Sequence, residues 1–164
     1  MRKLVVADPE LCYGCRTCEM VCSLHLTGAF RPGASGIHRH TLVDDLGFTA
    51  VSCLHCADPL CLRACPVGAI TRDDKGTVTI DRSACVGCLT CALVCPVGAV
   101  SVVDGRPVKC DLCGGEPLCA KWCPHEALSV VDAAEVGLER RRSFAEHVSR
   151  SARQATGGRY PGGA

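Results

Sequence analysis

Apolar residues along this chain fall in short runs separated by turn formers, which predicts brief strands rather than long helices. Leu4–Ala7 reads as a strand closed by a turn at Asp8-Pro9. A loop is expected after His25, over RPGASG. Ile37–Val43 and Phe48–Val51 flank Asp44-Asp45-Leu46-Gly47, the pattern of a β-hairpin. Further on, Asp73–Gly76 reads as a turn before a strand at Thr77–Ile80. Ser101–Val103 and Arg106–Lys109 flank a second turn at Asp104-Gly105. Ala127–Val131 is a last strand, expected to pair with Leu4–Ala7.

Each cysteine group within the body ends in C-x3-C, the step of a single helical turn, and a longer helical spacing appears beyond that strand. Leu138, Ala145, Val148 and Ala152, with Phe144 beside them, fall on one helical face, and Asp132 and Glu135 have the spacing of a capping box. No apolar run approaches the length of a membrane span, so none is expected.

The polar and turn-rich stretches between these elements hold 16 cysteines, which divide into four groups of four. They are Cys12, Cys15, Cys18 and Cys22; Cys53, Cys56, Cys61 and Cys65; Cys85, Cys88, Cys91 and Cys95; and Cys110, Cys113, Cys119 and Cys123. The first and third have C-x2-C-x2-C-x3-C spacing; the second is 2-4-3 and the fourth 2-5-3. Three are followed by proline (Pro66, Pro96, Pro124), and the first has Ser23 instead. This is the spacing of bacterial [4Fe–4S] motifs, in which three thiolates hold one cluster and the fourth serves its neighbour.

A disulfide framework suits a short cysteine-rich secreted chain, but MRKLVVADPELC has no signal-peptide pattern and disulfides do not call for a repeated spacing. Zinc sites join two well-separated cysteine pairs, whereas here three cysteines crowd into seven residues. Four [4Fe–4S] clusters are the expectation. The second and third motifs also form an internal repeat, continuing as CPVGAI from Cys65 and CPVGAV from Cys95.

Composition supports a metal-built interior. The 164 residues include one Trp, two Tyr and three Phe, too few for a conventional core, so the chain is not expected to fold without metal. The formal charge of +1 counts cysteines as neutral; four oxidised clusters at about −2 each bring the total to about −7. Residues 1–132 hold 12 Lys/Arg against 14 Asp/Glu, and residues 133–164 hold six Arg, including the run Arg140–Arg142, against three Glu. An acidic body thus ends in a basic tail, either a helix covering the body or a grip on a second protein; the concentrated positive charge favours the grip. The final GGRYPGGA is expected to be extended. No basic face on the body suggests nucleic acid. Free thiols and oxygen-sensitive clusters indicate a reducing cytoplasm.

The motif order resembles the four-cluster iron–sulfur subunits of molybdenum and tungsten oxidoreductases. These include electron-transfer subunits of DMSO reductase and formate dehydrogenase, and small subunits of hydrogenases and carbon monoxide dehydrogenases. The resemblance covers about residues 4–131. The short chain and the 2-5-3 fourth motif look most similar to the small ferredoxin-like subunits of tungsten-dependent aldehyde oxidoreductases.

The resemblance implies an α+β fold of two fused bacterial-type dicluster ferredoxin units. The body is 1–132, with an outer unit of 1–31 plus 108–132, an inserted hairpin at 36–52 and an inner unit of 53–107. Residues 133–164 add a C-terminal helix and tail for partner docking. The implied ligand sets exchange the last cysteine of each motif. Set A is Cys12, Cys15, Cys18 and Cys123; set B is Cys110, Cys113, Cys119 and Cys22. Set C is Cys53, Cys56, Cys61 and Cys95; set D is Cys85, Cys88, Cys91 and Cys65. Spacing alone also permits motifs three and four to pair. With all 16 cysteines in place, no [3Fe–4S] site is expected.

Four clusters in a row suit a relay: a large catalytic subunit at one end, and a ferredoxin, an NAD-reducing flavoprotein or another copy of the chain at the other. The alternatives are a free-standing polyferredoxin, a hydrogenase or carbon monoxide dehydrogenase subunit, or a scaffold whose tail builds oligomers. No catalytic role is expected, because there is no Gly-rich nucleotide loop or nucleophile constellation, and four cysteines per cluster leave no iron open. Gly14 and Gly87 let backbone approach a cluster. His25, His55 and His125 lie near ligands, either as structural residues or as groups that hydrogen-bond to sulfur or couple a proton.

Overall fold

The step from the third to the fourth cysteine of each motif is a single helical turn, and the residue after the fourth cysteine decides how far the helix runs. Helices α2 (Leu60–Arg63), α3 (Thr90–Leu93) and α4 (Leu118–Lys121) carry Cys61, Cys91 and Cys119. They stop before Cys65-Pro66, Cys95-Pro96 and Cys123-Pro124, because proline cannot continue the ladder. Ser23 imposes no such stop. The first helix, α1 (Thr17–Thr27), therefore continues for 11 residues to Gly28, whose left-handed backbone (φ 73°) caps Leu24. His25 consequently sits on this helix, and the expected loop over RPGASG follows it, with a short 3-10 turn at Pro32–Ala34. Ser23 is fully buried; its hydroxyl donates to Met20 O at 2.9 Å and accepts from Arg31 N at 3.0 Å.

This computed structural model describes residues 2–42, 47–137, 145–146 and 149–150. The strands are β1 (Lys3–Ala7), β2 (Ile37–Thr41), β3 (Phe48–Ser52), β4 (Ile70–Arg72), β5 (Val78–Ile80), β6 (Ser101–Val103), β7 (Arg106–Val108) and β8 (Leu128–Asp132). They form four two-stranded antiparallel sheets: β1–β8, β2–β3, β4–β5 and β6–β7. The β1–β8 pair, with Leu4 opposite Val131 and Ala7 opposite Leu128, joins the two ends of the body as the apolar runs suggest. Asp132 Oδ1 accepts from Ala134 N at 2.9 Å, capping a helical stretch at 133–137. The rest of the expected C-terminal helix and tail falls mostly outside the described residues, as do residues 43–46 of the hairpin turn.

No described helix is long and apolar enough to cross a membrane. The interior consists largely of aliphatic residues interleaved with sulfur. Val5, Ile37, Ala99, Leu112 and Leu128 pack with Cys22, Cys53, Cys110 and Cys119, while Ile70, Val78 and Val100 pack with Cys91.

The inserted hairpin suits either a partner-docking edge or a lid over a cluster, and its contacts favour a cover over the first motif. The Phe48 ring lies where a Cβ on Gly14 would come within 2.6 Å, and Gly14 is itself left-handed (φ 71°). Arg39 stacks on Phe48 at 5.0 Å, and its N–H donates to buried Glu19 of α1 at 2.8 Å.

Gly36, at the hairpin's entry, touches the fourth motif. A Cβ there would stand 2.4 Å from the backbone nitrogen of Cys110, and the Gly36 N–H donates to Cys22 Sγ at 3.2 Å. Gly36→Ala is therefore expected to destabilise the protein by about 3 kcal/mol through backbone overlap. A chemical-denaturation midpoint equal to wild type would show that the strand can retreat.

Candidate metal centres

Each cysteine loop bends back on itself so that its sulfurs converge, and this requires left-handed backbone at a fixed place. Gly14 and Gly87 supply it without side-chain strain (φ 71° and 73°). His55 and Leu112 hold the corresponding positions in the second and fourth motifs, at φ 41° and 57°, where a side chain is costly. The fold therefore imposes the loop shape even where the residue resists it.

None of the 16 cysteines is in a disulfide. Cys12, Cys15, Cys18 and Cys123 line one cavity, with Arg39 and Ala50 of the hairpin. Cys65, Cys85, Cys88 and Cys91 line another. The Cys119 thiol has Cys22 and Cys113 as electrostatic neighbours, and Cys110 has Cys119 and Cys22. Cys61 has Cys53 and Cys95. In every case a cysteine from one motif stands among those of another.

Neighbours between these groups are as informative. Cys119 also interacts with Cys18, Cys110 with Cys53, and Cys91 with Cys61. The four groups thus follow one another as a file. Five cysteines are buried, Cys22, Cys53, Cys110 and Cys119 in the two middle groups and Cys91 in an end group, and the two exposed cysteines, Cys15 and Cys88, belong to the two end groups.

Burial makes these thiols hard to ionise. It pushes Cys18 up to about 12, with Glu19 adding to the rise; Cys119 goes to about 12 and Cys22 to about 11, and Cys110 is raised as well. Cys88 shifts the other way, held down by the Thr90 hydroxyl and N–H. A metal-free interior holding these groups is a set of protonated sulfurs with no cation among them. Iron replaces the protons with a cation, so the donor set fits [4Fe–4S] clusters. Loading the metal-free chain at neutral pH is expected to release about four protons per cluster. Raised thiol values mean that acid competes with iron, so loading should weaken as pH falls. Proton release in unbuffered solution checks this; uptake without release would contradict it.

Backbone amides already point at sulfur. Ala69 N donates to Cys65 Sγ and Ala99 N to Cys95 Sγ, both at 3.3 Å, one in each copy of the CPVGA repeat. His55 N donates to Cys53 Sγ and Leu112 N to Cys110 Sγ, both at 3.4 Å.

The three histidines differ. His125 stacks on Tyr13, ring centroids 4.6 Å apart, at the edge of the Cys12 cavity. His25 Nε2 lies 3.1 Å from Asp111 Oδ2, and one donor atom each of His25, Asp111 and Cys113 fall within 4.8 Å of one another. His55 is wholly buried. Its Nδ1 accepts from Val78 N at 2.9 Å, while Nε2 has no partner among the described residues. Burial, with Lys109 close by, pushes His55 down to about 4, so the ring is neutral.

Sequence reasoning passed over Lys109 and Glu19, both nearly inaccessible at 5% and 3%. Neither residue type signals burial in isolation; only the tertiary contacts reveal it.

A cysteine-lined interior of this shape defines an iron–sulfur protein. The profile of the 4Fe-4S dicluster domain family matches residues 45–133, spanning the second, third and fourth motifs. The electron transport protein HydN of Escherichia coli (strain K12) is 35% identical over 136 residues, covering 69% of this chain and 77% of that one. The polyferredoxin-like subunit of aliphatic sulfonate oxidoreductase from Pyrococcus furiosus is 38% identical over 116 residues, covering 69% and 66%. Hydrogenase-4 component A of Escherichia coli (strain K12) is 40% identical over 114 residues, covering 66% of this chain and about half (52%) of the relative. The chain belongs to the 4Fe-4S dicluster domain family, and it is an electron-transfer protein carrying [4Fe–4S] clusters, not an enzyme in its own right.

Proposed function

We propose that this chain is the relay subunit of an oxidoreductase complex, moving single electrons along four [4Fe–4S] clusters held by sets A, B, C and D. The observation that carries the reading is the file of cysteine groups, with four of its five buried members in the middle two groups and an exposed cysteine at each end. Each cluster, when bound, takes up and gives up one electron.

The rest is the work of the chain. The exchanged fourth cysteines, Cys22, Cys65, Cys95 and Cys123, lock neighbouring motifs at a short separation, and tunnelling depends steeply on that separation. Buried aliphatic residues keep water from the middle sulfurs, and the amides on Cys22, Cys53, Cys65, Cys95 and Cys110 favour added negative charge. Cys15 and Cys88 mark the two ends at which partners exchange electrons.

The catalytic partner proposed from the motif spacing is a large tungsten or molybdenum aldehyde- or formate-type subunit, with a ferredoxin, a flavoprotein or a further copy of the chain as the second partner. Likeness to hydrogenase-4 component A favours a second reading, service to a hydrogenase-type enzyme. Division of the body into inner (53–107) and outer (1–31 plus 108–132) units, docking through 133–164 and a cytoplasmic setting belong to the same proposal. Anoxic co-purification from the native host, with metal analysis, tests it. About sixteen irons per chain and a tungsten- or molybdenum-bearing partner are expected. A nickel-bearing partner would replace the first reading with the second, and a chain that stays alone with or without residues 133–164 would make it a free carrier.

A further inference from the structure

Where groups B and C meet, between Cys110 and Cys53, the fold buries a lysine with no carboxylate within 4 Å of it among the described residues. Lys109 is 5% exposed and makes no ion pair among the described residues. Its ammonium donates to Cys110 O at 2.9 Å and to Val78 O, leaving one N–H over. The same strand residue ties in His55: Val78 N donates to His55 Nδ1, so the ring proton sits on Nε2, buried and unpartnered among the described residues. Lys109 also lies close enough to Cys61 to oppose the upward push that burial gives that thiol. One node, Lys109–Val78–His55, therefore joins the second motif, the β4–β5 hairpin and the fourth motif.

A buried unpaired cation costs several kcal/mol unless negative charge is supplied beside it. Here no carboxylate pairs with it directly; Asp111 and Asp73 act on the neighbouring His55 from farther off. In the loaded protein, groups B and C each carry a cluster with net negative charge, and one more electron makes each more negative. A fixed positive charge between them stabilises the reduced state more than the oxidised one. A buried N–H donor acts in the same direction.

We propose that Lys109, with the His55 Nε2–H beside it, raises the reduction potentials of the two middle clusters, so that an electron entering from either end rests at the B–C junction before it leaves. Lys109 is a positioning residue for charge: it binds no iron and reacts with nothing. The inference rests on the four-cluster reading, and the two fail separately, since iron content tests that reading and potentials test this one.

The experiment is a redox titration of the anaerobically prepared full-length protein followed by electron paramagnetic resonance. Lys109→Gln keeps a donor for the two carbonyls and removes the charge, and Lys109→Arg restores the charge. With iron content at the wild-type level, Lys109→Gln should move two of the four titration waves to more negative potential and leave the other two in place. Lys109→Arg should return them towards wild type. The proposal is overturned if all four waves stay put in Lys109→Gln, or if Lys109→Arg moves them as far. It is also overturned if Lys109→Gln and Lys109→Met both lose iron, which would assign the residue to folding alone.

Discussion

Chelating the iron from the anaerobically prepared protein is expected to abolish the fold of residues 3–132 as a whole, not to loosen it at the cysteine loops. The regular structure is too small to stand alone. Every sheet has two strands, and an isolated two-stranded hairpin is marginal at best in water. Among the described residues, three of the four helices α1–α4 have four residues, well below the length at which a helix persists without support. Four of the ten residues in the larger buried cluster are cysteines, so much of the packing that would hold the aliphatic residues together is itself sulfur. Removing iron leaves the buried thiols protonated and cross-links nothing. Circular dichroism and amide exchange should show all protection lost as iron leaves. Retention of the β1–β8 pair in iron-free protein would mean that the aliphatic residues suffice.

Paired cysteine substitutions are expected to give the next largest effect, and they distinguish exchange of the fourth ligand from ligation within one motif. Under the proposed sets, Cys12 and Cys123 serve the same cluster, so Cys12→Ala with Cys123→Ala should remove about four irons, little more than either change alone. Cys12 and Cys22 serve different clusters, so Cys12→Ala with Cys22→Ala should remove about eight. Ligation within motifs predicts the reverse order. The cavity shared by Cys123 and the first motif, and the place of Cys22 among the thiols of the fourth, are what make the first order the expected one. Iron and sulfide analysis of the two double variants decides between them.

Much of this architecture is legible in the chain before any coordinates. The turn at Asp104-Gly105 and the flanking apolar pairs locate β6 and β7, and the apolar runs at the two ends of the body anticipate the β1–β8 pair. These features are local, and local chemistry decides them. The reach of α1 was equally present in Ser23, since a missing proline permits a helix to continue, but permission is not a cause. Its length depends on Ser23 meeting Arg31 and on Gly28 closing the end. Non-local features were illegible for the same reason. Nothing in LHC or DLC shows that His55 and Leu112 adopt the backbone expected of glycine. Nothing in the sequence around Lys109 shows that its side chain turns inward to Val78, 31 positions away. Such residues are placed by surroundings that form only when distant segments meet.

The closure of the body by β1 and β8 also bears on how the protein is made. A ribosome delivers Cys12 first and Cys123 last of the sixteen. The proposed inner sites need nothing beyond Cys95, whereas the first motif must wait, open and vulnerable to oxygen, until the final strand emerges. Under that pairing, maturation runs from the centre outward, and a polypeptide truncated before Cys110 would be born with two finished sites and two that can never be completed.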